Sequence, residues 1–276
     1  MIPKIIHCVW LSGEDKPEVY KKCIDSWIDK MPDYEIKEWS LKNLPKEVLN
    51  HSFVASAIQA KKWAYATDFI RLWALYNYGG IYLDMDVMVY KPFDVFLKYK
   101  AFSCIELNPY FLYKTLHKKE IIGLGIEAAV LGCERQHEWI GDIMDYYKNK
   151  IFINDPKYYV NFIMPRILTR VSVEKYGFKM VPTYQVLEKD IHIFSCDAFS
   201  SIYNWNTIST TDFTPSDLDL GESPTRYSFH ICAHSWYEDY STRGFLYKIK
   251  KIGLYILGKS NISKIKGIFI KKDITK

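Results

Sequence analysis

The sequence predicts an α/β fold with a mostly parallel central sheet flanked by helices. Three observations predict it. The chain opens on a strand-helix-strand pattern. A long aromatic-rich helical stretch ends at Gly79-Gly80 and passes at once into an apolar strand. Short apolar runs then alternate with helical segments as far as residue 232.

Residues 4–10, KIIHCVW, form a short apolar run that reads as a buried first strand, and Leu11-Ser12-Gly13 as a turn. Pro17 marks a helix start, followed by Val19, Cys23, Ile24, Trp27 and Ile28 at helical spacing. Met31-Pro32-Asp33 stops that helix, and YEIKEW (34–39) alternates as a second strand. Residues 54–78 read as one long helix, ended by Gly79-Gly80 because glycine accepts positive φ. IYLD follows as a strand. After Asp84-Met85-Asp86 comes a second extended run, VMVY, closed by Lys91-Pro92. AFSCIE (101–106) and GIEAAVLG (125–132) read as strands, and HEWIGDIMDYY (137–147) as a helix. KYYVNFIMPRILTRV (157–171) reads as a helix broken near Pro165, while HIFS (192–195) and RYSFHIC (226–232) are short strands.

The 276 residues fit one α/β domain over 1–242 and a tail over 243–276. The tail holds one arginine and nine lysines against one aspartate, a net +9, so residues 1–242 carry −4 of the chain's +5. A mildly acidic body with a basic tail points to an anionic surface as partner for the tail alone, and argues against a nucleic-acid role. The tail spaces Phe245, Ile249, Ile252 and Ile256 at helical intervals, so a basic amphipathic segment and a disordered basic tail both fit. Cys8, Cys23, Cys104, Cys133, Cys196 and Cys232 form no Cys-x-x-Cys pair and sit mostly in apolar runs, which argues against a zinc site or a disulfide framework. The expected compartment is the reducing cytoplasm. The opening MIPKIIHCVW does not read as a signal peptide, and no apolar stretch is long enough to span a bilayer. Aromatics make up 16% of the chain, enough for sugar or base stacking and equally for core filling.

The chemistry centres on Asp84 and Asp86, one residue apart just after an apolar strand. Carboxylates at i and i+2 on a strand face the same way and can converge on one hard cation, which takes oxygen ligands. A divalent ion bridging a diphosphate neutralises charge on a leaving nucleotide. Alone the pattern also fits two acids in a polar turn. Its context is the preceding helix, where Asp68 and Arg71 lie three apart on an apolar face with Ala64 and Leu75. They read either as a structural ion pair or as a pair turned toward the pocket at the strand end, where sugar hydroxyls need an acceptor and donors.

The stretch ATDFIRLWALYNYGGIYLDMDV resembles the signature of glycosyltransferase family 32, the DxD sugar-binding group. That group includes yeast-type α-mannosyltransferases and bacterial capsular polysaccharide transferases, and shares its core with large glucosylating toxins. The opening IPKIIHCVW resembles the family's first strand and HICAHSW (230–236) its C-terminal element; residues 106–226 are only loosely family-like. The resemblance implies a GT-A fold, a nucleotide-binding α/β sheet with a metal site after a central strand. It implies a divalent metal, Mn²⁺ or Mg²⁺, a nucleotide-sugar donor (UDP-hexose or GDP-mannose) and a glycan or lipid-linked acceptor. It places Trp10 on the donor base with the backbone near Val9 beside it, Asp68 and Arg71 on the donor sugar, and Tyr82 beside them or in the core. Asp84 would reach the ribose or a water on the metal, and Asp86 would ligate the metal. Ser235 and Trp236 would close over the diphosphate. His234 would be a metal ligand, a phosphate donor or neither, and the four-residue spacing of His230 and His234 in a strand-to-loop segment does not by itself make a metal pair.

The family resembled here retains anomeric configuration. On a same-face path the leaving phosphate accepts the acceptor's proton and no protein base is needed. A double displacement needs a carboxylate beneath the sugar, for which Glu127 is the candidate; a solvated strand end is the alternative reading of that residue. The expected setting is capsular or surface polysaccharide assembly at the inner face of the cytoplasmic membrane. A toxin-like effector that glycosylates a host protein and a non-catalytic sugar-nucleotide-binding module are the alternatives.

Overall fold

The computed structural model describes residues 1–107, 112, 123–200 and 226–231. The strand-helix-strand opening is β1 (Ile5–Val9), α1 (Glu18–Lys30) and β2 (Glu35–Trp39). Helices α2 (Lys46–Leu49), α3 (Ser52–Gln59) and α4 (Trp63–Tyr78) lead to β3 (Gly80–Leu83) and β4 (Val87–Val89). Then come β5 (Ala101–Leu107), β6 (Leu124–Ile126), β7 (Val130–Cys133), α5 (Glu138–Asp145), α6 (Pro156–Tyr159) and α7 (Met164–Tyr176). Strands β8 (Gln185–Leu187), β9 (Ile191–Phe194) and β10 (Ser228–His230) complete the described elements.

The main sheet runs β2-β1-β3-β7-β5-β9-β8, with β6 on β5. Pairings β1–β2, β1–β3 and β5–β9 are parallel; β7 runs antiparallel to both β3 and β5. Because both flank β7 in the opposite sense, β3 and β5 point the same way. The C-terminal ends of β1, β3 and β5 therefore open on one edge, where β7 begins, and in open α/β sheets that edge is where ligands bind. Alternation along β3 sends Ile81 and Leu83 into a core beneath α1, with Cys23 and Trp27, and Tyr82 into the core beneath α4, α5 and α7. This helix-flanked sheet, with an Asp-x-Asp leaving its central strand, is an α/β arrangement.

Two glycines join α4 to β3. Gly79 has φ 64° and Gly80 φ 106°, and a Cβ on Gly80 would stand 2.6 Å from the Ile5 carbonyl oxygen. Only glycine combines that conformation with that approach. Buried His7 locks the same junction: its Nδ1 accepts from the Trp39 indole at 3.1 Å and its Nε2 donates to the Gly79 carbonyl at 2.8 Å. Burial lowers the His7 pKa to about 4, so the ring is neutral at pH 7.

Three elements differ from the sequence expectation. The single helix expected over 54–78 is two helices. Lys61 enters the left-handed region at φ 55°, the Lys62 N–H reaches the Ala57 carbonyl and the Lys61 N–H reaches that of Ile58. This is a Schellman cap with lysine where glycine is usual, so no breaker residue betrays it. The expected strand GIEAAVLG is two strands, β6 and β7, interrupted at residues 127–129. In 157–171 the break falls at Ile163, and Pro165 sits in the first turn of α7, where its missing N–H costs nothing. No helix among the described residues is long and apolar enough to cross a membrane.

Candidate functional site

Asp84 leaves the end of β3, and its backbone N–H donates to the Ala129 carbonyl at 2.9 Å across the start of β7. The Val87 N–H then closes a turn onto the Asp84 carbonyl at 3.0 Å and sends the chain into β4. That turn places Asp86, 9% exposed, beside β10, which pairs antiparallel with β4 in the register His230↔Val87. The Ile231 N–H donates to the Asp86 carbonyl at 3.0 Å. Consequently one ligand atom each from Asp84, Asp86 and His230 lie within 4.8 Å of one another. Sequence reasoning drew no site role for His230 from its spacing to His234, and the structure places it by topology. The β4–β10 ladder, not the spacing to His234, brings the imidazole to the aspartates. The visible signal was a histidine between Phe229 and Ile231 in a short apolar strand.

Arg71 is the hub behind these aspartates. Its Nη2 meets Asp68 Oδ1 at 2.9 Å, and its Nη1 lies 3.4 Å from Asp84 Oδ1 and donates to the Ala128 carbonyl at 2.8 Å. The guanidinium sits 4.5 Å over the Tyr82 ring, and the Tyr82 hydroxyl donates to Asp84 Oδ1 at 2.7 Å. Asp68 and Arg71 are 8% and 6% exposed, so the pair is buried, and it is tied to the strand end rather than isolated within the helix. Burial pushes the Asp68 carboxyl up to about 7, against the pull of Arg71 and with the help of Asp84. Tyr82 is buried, with its ring in the core and its hydroxyl on Asp84.

Glu127 is not a solvated strand end. It is 3% exposed in the gap between β6 and β7. Its Oε1 accepts from the Ala128 and Ala129 N–H groups at 3.1 Å each and lies 3.3 Å from His230 Nδ1, and its Oε2 accepts from Ser200 Oγ at 2.8 Å. The opposite nitrogen, His230 Nε2, lies 3.4 Å from Asp86 Oδ1. Burial would raise the Glu127 pKa, but the His230 charge and hydrogen bond, Ser200 and the Ala129 N–H together hold it below the usual carboxylate range. Burial and the Glu127 charge raise the pKa of Glu106 at the end of β5. Sequence reasoning missed Ser200 and Glu106.

Val9 and Trp10 lie at the end of β1, on the same sheet edge as Asp84. Trp10 is half-buried. Its indole N–H donates to the Glu14 carbonyl at 2.7 Å, its ring stands edge-on to Tyr20, and Lys16 Nζ lies 5.9 Å from its centroid. His234, Ser235, Trp236 and the tail over 243–276 lie outside the described residues.

Residues 17–103 match the family described as "Glycosyltransferase sugar-binding region containing DXD motif". The region holds Asp68, Arg71, Tyr82, Asp84 and Asp86. Among curated proteins, the chain is similar to inositol phosphoceramide mannosyltransferase 3 of Schizosaccharomyces pombe, 37% identical over 103 residues, 36% of this chain and 28% of that protein. It is also similar to mannosyl phosphorylinositol ceramide synthase SUR1 of Saccharomyces cerevisiae, 30% identical over 105 residues, 37% of this chain and 27% of that protein. The matches thus span under a third of these relatives' length. A solved glycosyltransferase involved in glycosylation of the major capsid of PBCV-1 is similar at 13% identity and TM-score 0.42, over 90% of this chain and 100% of that one.

Proposed function

We propose that this chain is a metal-dependent glycosyltransferase that moves a hexose, with retention, from a nucleotide sugar to a lipid-linked or glycan acceptor. One observation carries the reading. Two carboxylates from the stretch that matches a DXD sugar-binding region and an imidazole from β10 converge within 4.8 Å at the end of the central strand. Asp84, Asp86 and His230 fit a divalent cation. The carboxylates suit a hard ion, and the nitrogen donor favours Mn²⁺ over Mg²⁺, which takes oxygen ligands. When bound, such an ion supplies charge neutralisation at the diphosphate of the leaving nucleotide.

The remaining roles fall to the chain's own groups. Trp10 and the backbone at Val9 hold the base. Asp68 and Arg71 offer an acceptor and donors to sugar hydroxyls, and Tyr82 holds Asp84 in place. Ser235 and Trp236 close over the diphosphate. Most of the rate then comes from positioning and charge stabilisation, with the acceptor's proton passing to the leaving phosphate. The similarity to mannosyltransferases named for inositol phosphoceramide favours mannose as the hexose and a lipid as the acceptor, with surface-glycan assembly as the broader setting. The test is a panel of nucleotide sugars, scored for thermal stabilisation and slow hydrolysis with Mn²⁺. Stabilisation by a GDP- or UDP-sugar is expected with metal and not with chelator. Asp86→Asn should abolish it and lower turnover about 100-fold or more, with the melting temperature of the free protein retained. Full activity of that variant in chelator overturns the reading.

The basic tail is proposed to dock the enzyme on the cytoplasmic face of a membrane that carries the acceptor. Its support is the +9 charge of residues 243–276, with isoleucines and aromatics between the lysines. Truncation after Ser241 should release the protein from anionic vesicles at low salt while donor hydrolysis persists. Equal vesicle binding by both forms removes the tail from the reading.

A further inference from the structure

Glu127 is the buried carboxylate that retaining chemistry by double displacement would call on, yet its contacts point elsewhere. A nucleophile must aim an oxygen at the anomeric carbon and be reached by the sugar. Glu127 does neither. Its Oε1 carries two backbone N–H donors and faces His230 Nδ1, its Oε2 holds Ser200 Oγ, and 3% of the residue is exposed. The backbone break between β6 and β7 turns the Ala128 and Ala129 N–H groups onto the carboxylate, so its orientation is set by main chain.

The same geometry defines a different task. His230 stands between two carboxylates, with Nδ1 3.3 Å from Glu127 and Nε2 3.4 Å from Asp86. An imidazole that ligates a metal through one nitrogen commonly donates its other N–H to a carboxylate, which selects the tautomer, fixes the ring and raises the ligand's basicity. We propose that Glu127 is a positioning residue, anchored by Ser200 and the Ala128–Ala129 backbone, that holds His230 with its Nε2 lone pair toward the cation shared with Asp84 and Asp86. The Nδ1 proton is donated to Glu127 Oε1. No covalent glycosyl–Glu127 species forms, and transfer follows the same-face path. This inference rests on the proposed metal-dependent transfer.

The test measures Mn²⁺ affinity directly, by paramagnetic resonance of the unbound ion, in the full chain without any sugar. Glu127→Ala is expected to weaken Mn²⁺ binding about 10- to 100-fold. The near-isosteric Glu127→Gln keeps the shape of the pocket, removes the charge and turns one acceptor oxygen into a donor, and should fall between wild type and Glu127→Ala. Because Glu127 acts through His230, the double variant with His230→Ala should bind Mn²⁺ no more weakly than His230→Ala alone. A merely structural role would instead add its loss to that of His230. Mn²⁺ affinity unchanged in both folded Glu127 variants, alongside lost binding in Asp86→Asn, overturns the positioning role and leaves the metal site standing. Unchanged affinity in Asp86→Asn overturns the metal site and the inference with it. Rescue of Glu127→Ala turnover by azide, or a glycosyl adduct on Glu127 by mass spectrometry, makes it the nucleophile and overturns the inference.

Discussion

The two wings of the sheet contribute to the site in different ways. The wing β2-β1-β3 with α4 supplies Asp68, Arg71, Tyr82, Asp84 and Asp86 from one helix-turn-strand passage, with the motif preassembled by local structure. The wing β7-β5-β9, with β10 paired outside it, supplies Glu127, Ser200 and His230 from three separated stretches. Arg71 joins the wings through the Ala128 carbonyl, and His230 joins them through Asp86 and Glu127. A site built this way keeps its charged core in a short segment and completes its surroundings through long-range contacts.

The joint at Arg71 should give the largest effect. Arg71→Ala leaves buried Asp68 without its cation and the Ala128 carbonyl without its donor. Removing one partner of a buried pair costs about 3–5 kcal/mol, so the urea midpoint at pH 7 should fall accordingly. A change below about 1 kcal/mol, the range of surface pairs, would show that the wings are not held together there.

Within the first wing, His7 is the acid-sensitive element. Its folded pKa, about 4, lies below the ordinary histidine value of 6.5, so its contribution is fully present above pH 6.5 and is lost as pH falls through 4. At about 1.4 kcal/mol per pH unit, the loss over that window amounts to about 3 kcal/mol. His7→Gln should be less stable at pH 7 but show a shallower acid slope, by up to one proton. Denaturant titrations at pH 7, 5.5 and 4.5 read that slope directly. Parallel slopes for the two proteins would move the acid sensitivity elsewhere.

The smallest effect belongs to the wing's rim. Trp10→Ala should weaken nucleoside diphosphate binding by about 1–3 kcal/mol, the range for base–aromatic stacking, with little loss of stability because the ring is half-exposed. Calorimetry with the nucleotide alone is the check. Unaltered affinity would mean that the ring serves Tyr20 and Lys16, its observed neighbours, and not a base.

The legibility of the molecule follows the same division. The glycine pair and the motif around Asp84 were readable because their physics is local. Gly79-Gly80 is demanded by backbone conformation, and Asp68 with Arg71 by helical spacing. The α3–α4 break was not readable, because lysine takes the left-handed position where glycine would have announced it. Glu127 looked like a polar strand end because its burial depends on Ser200 and His230, 73 and 103 positions away along the chain.

What the sequence alone determined is the order of strands and helices in the first wing and the short acidic motif at its end, since helix periodicity, strand alternation and glycine conformation act over a few residues. Only the tertiary structure decided that His230 joins the two aspartates and that Glu127 faces it. Those contacts depend on the β4–β10 ladder and on the interruption between β6 and β7. Pairing between distant strands is set by the packing of the whole core, and no local spacing along the chain encodes it.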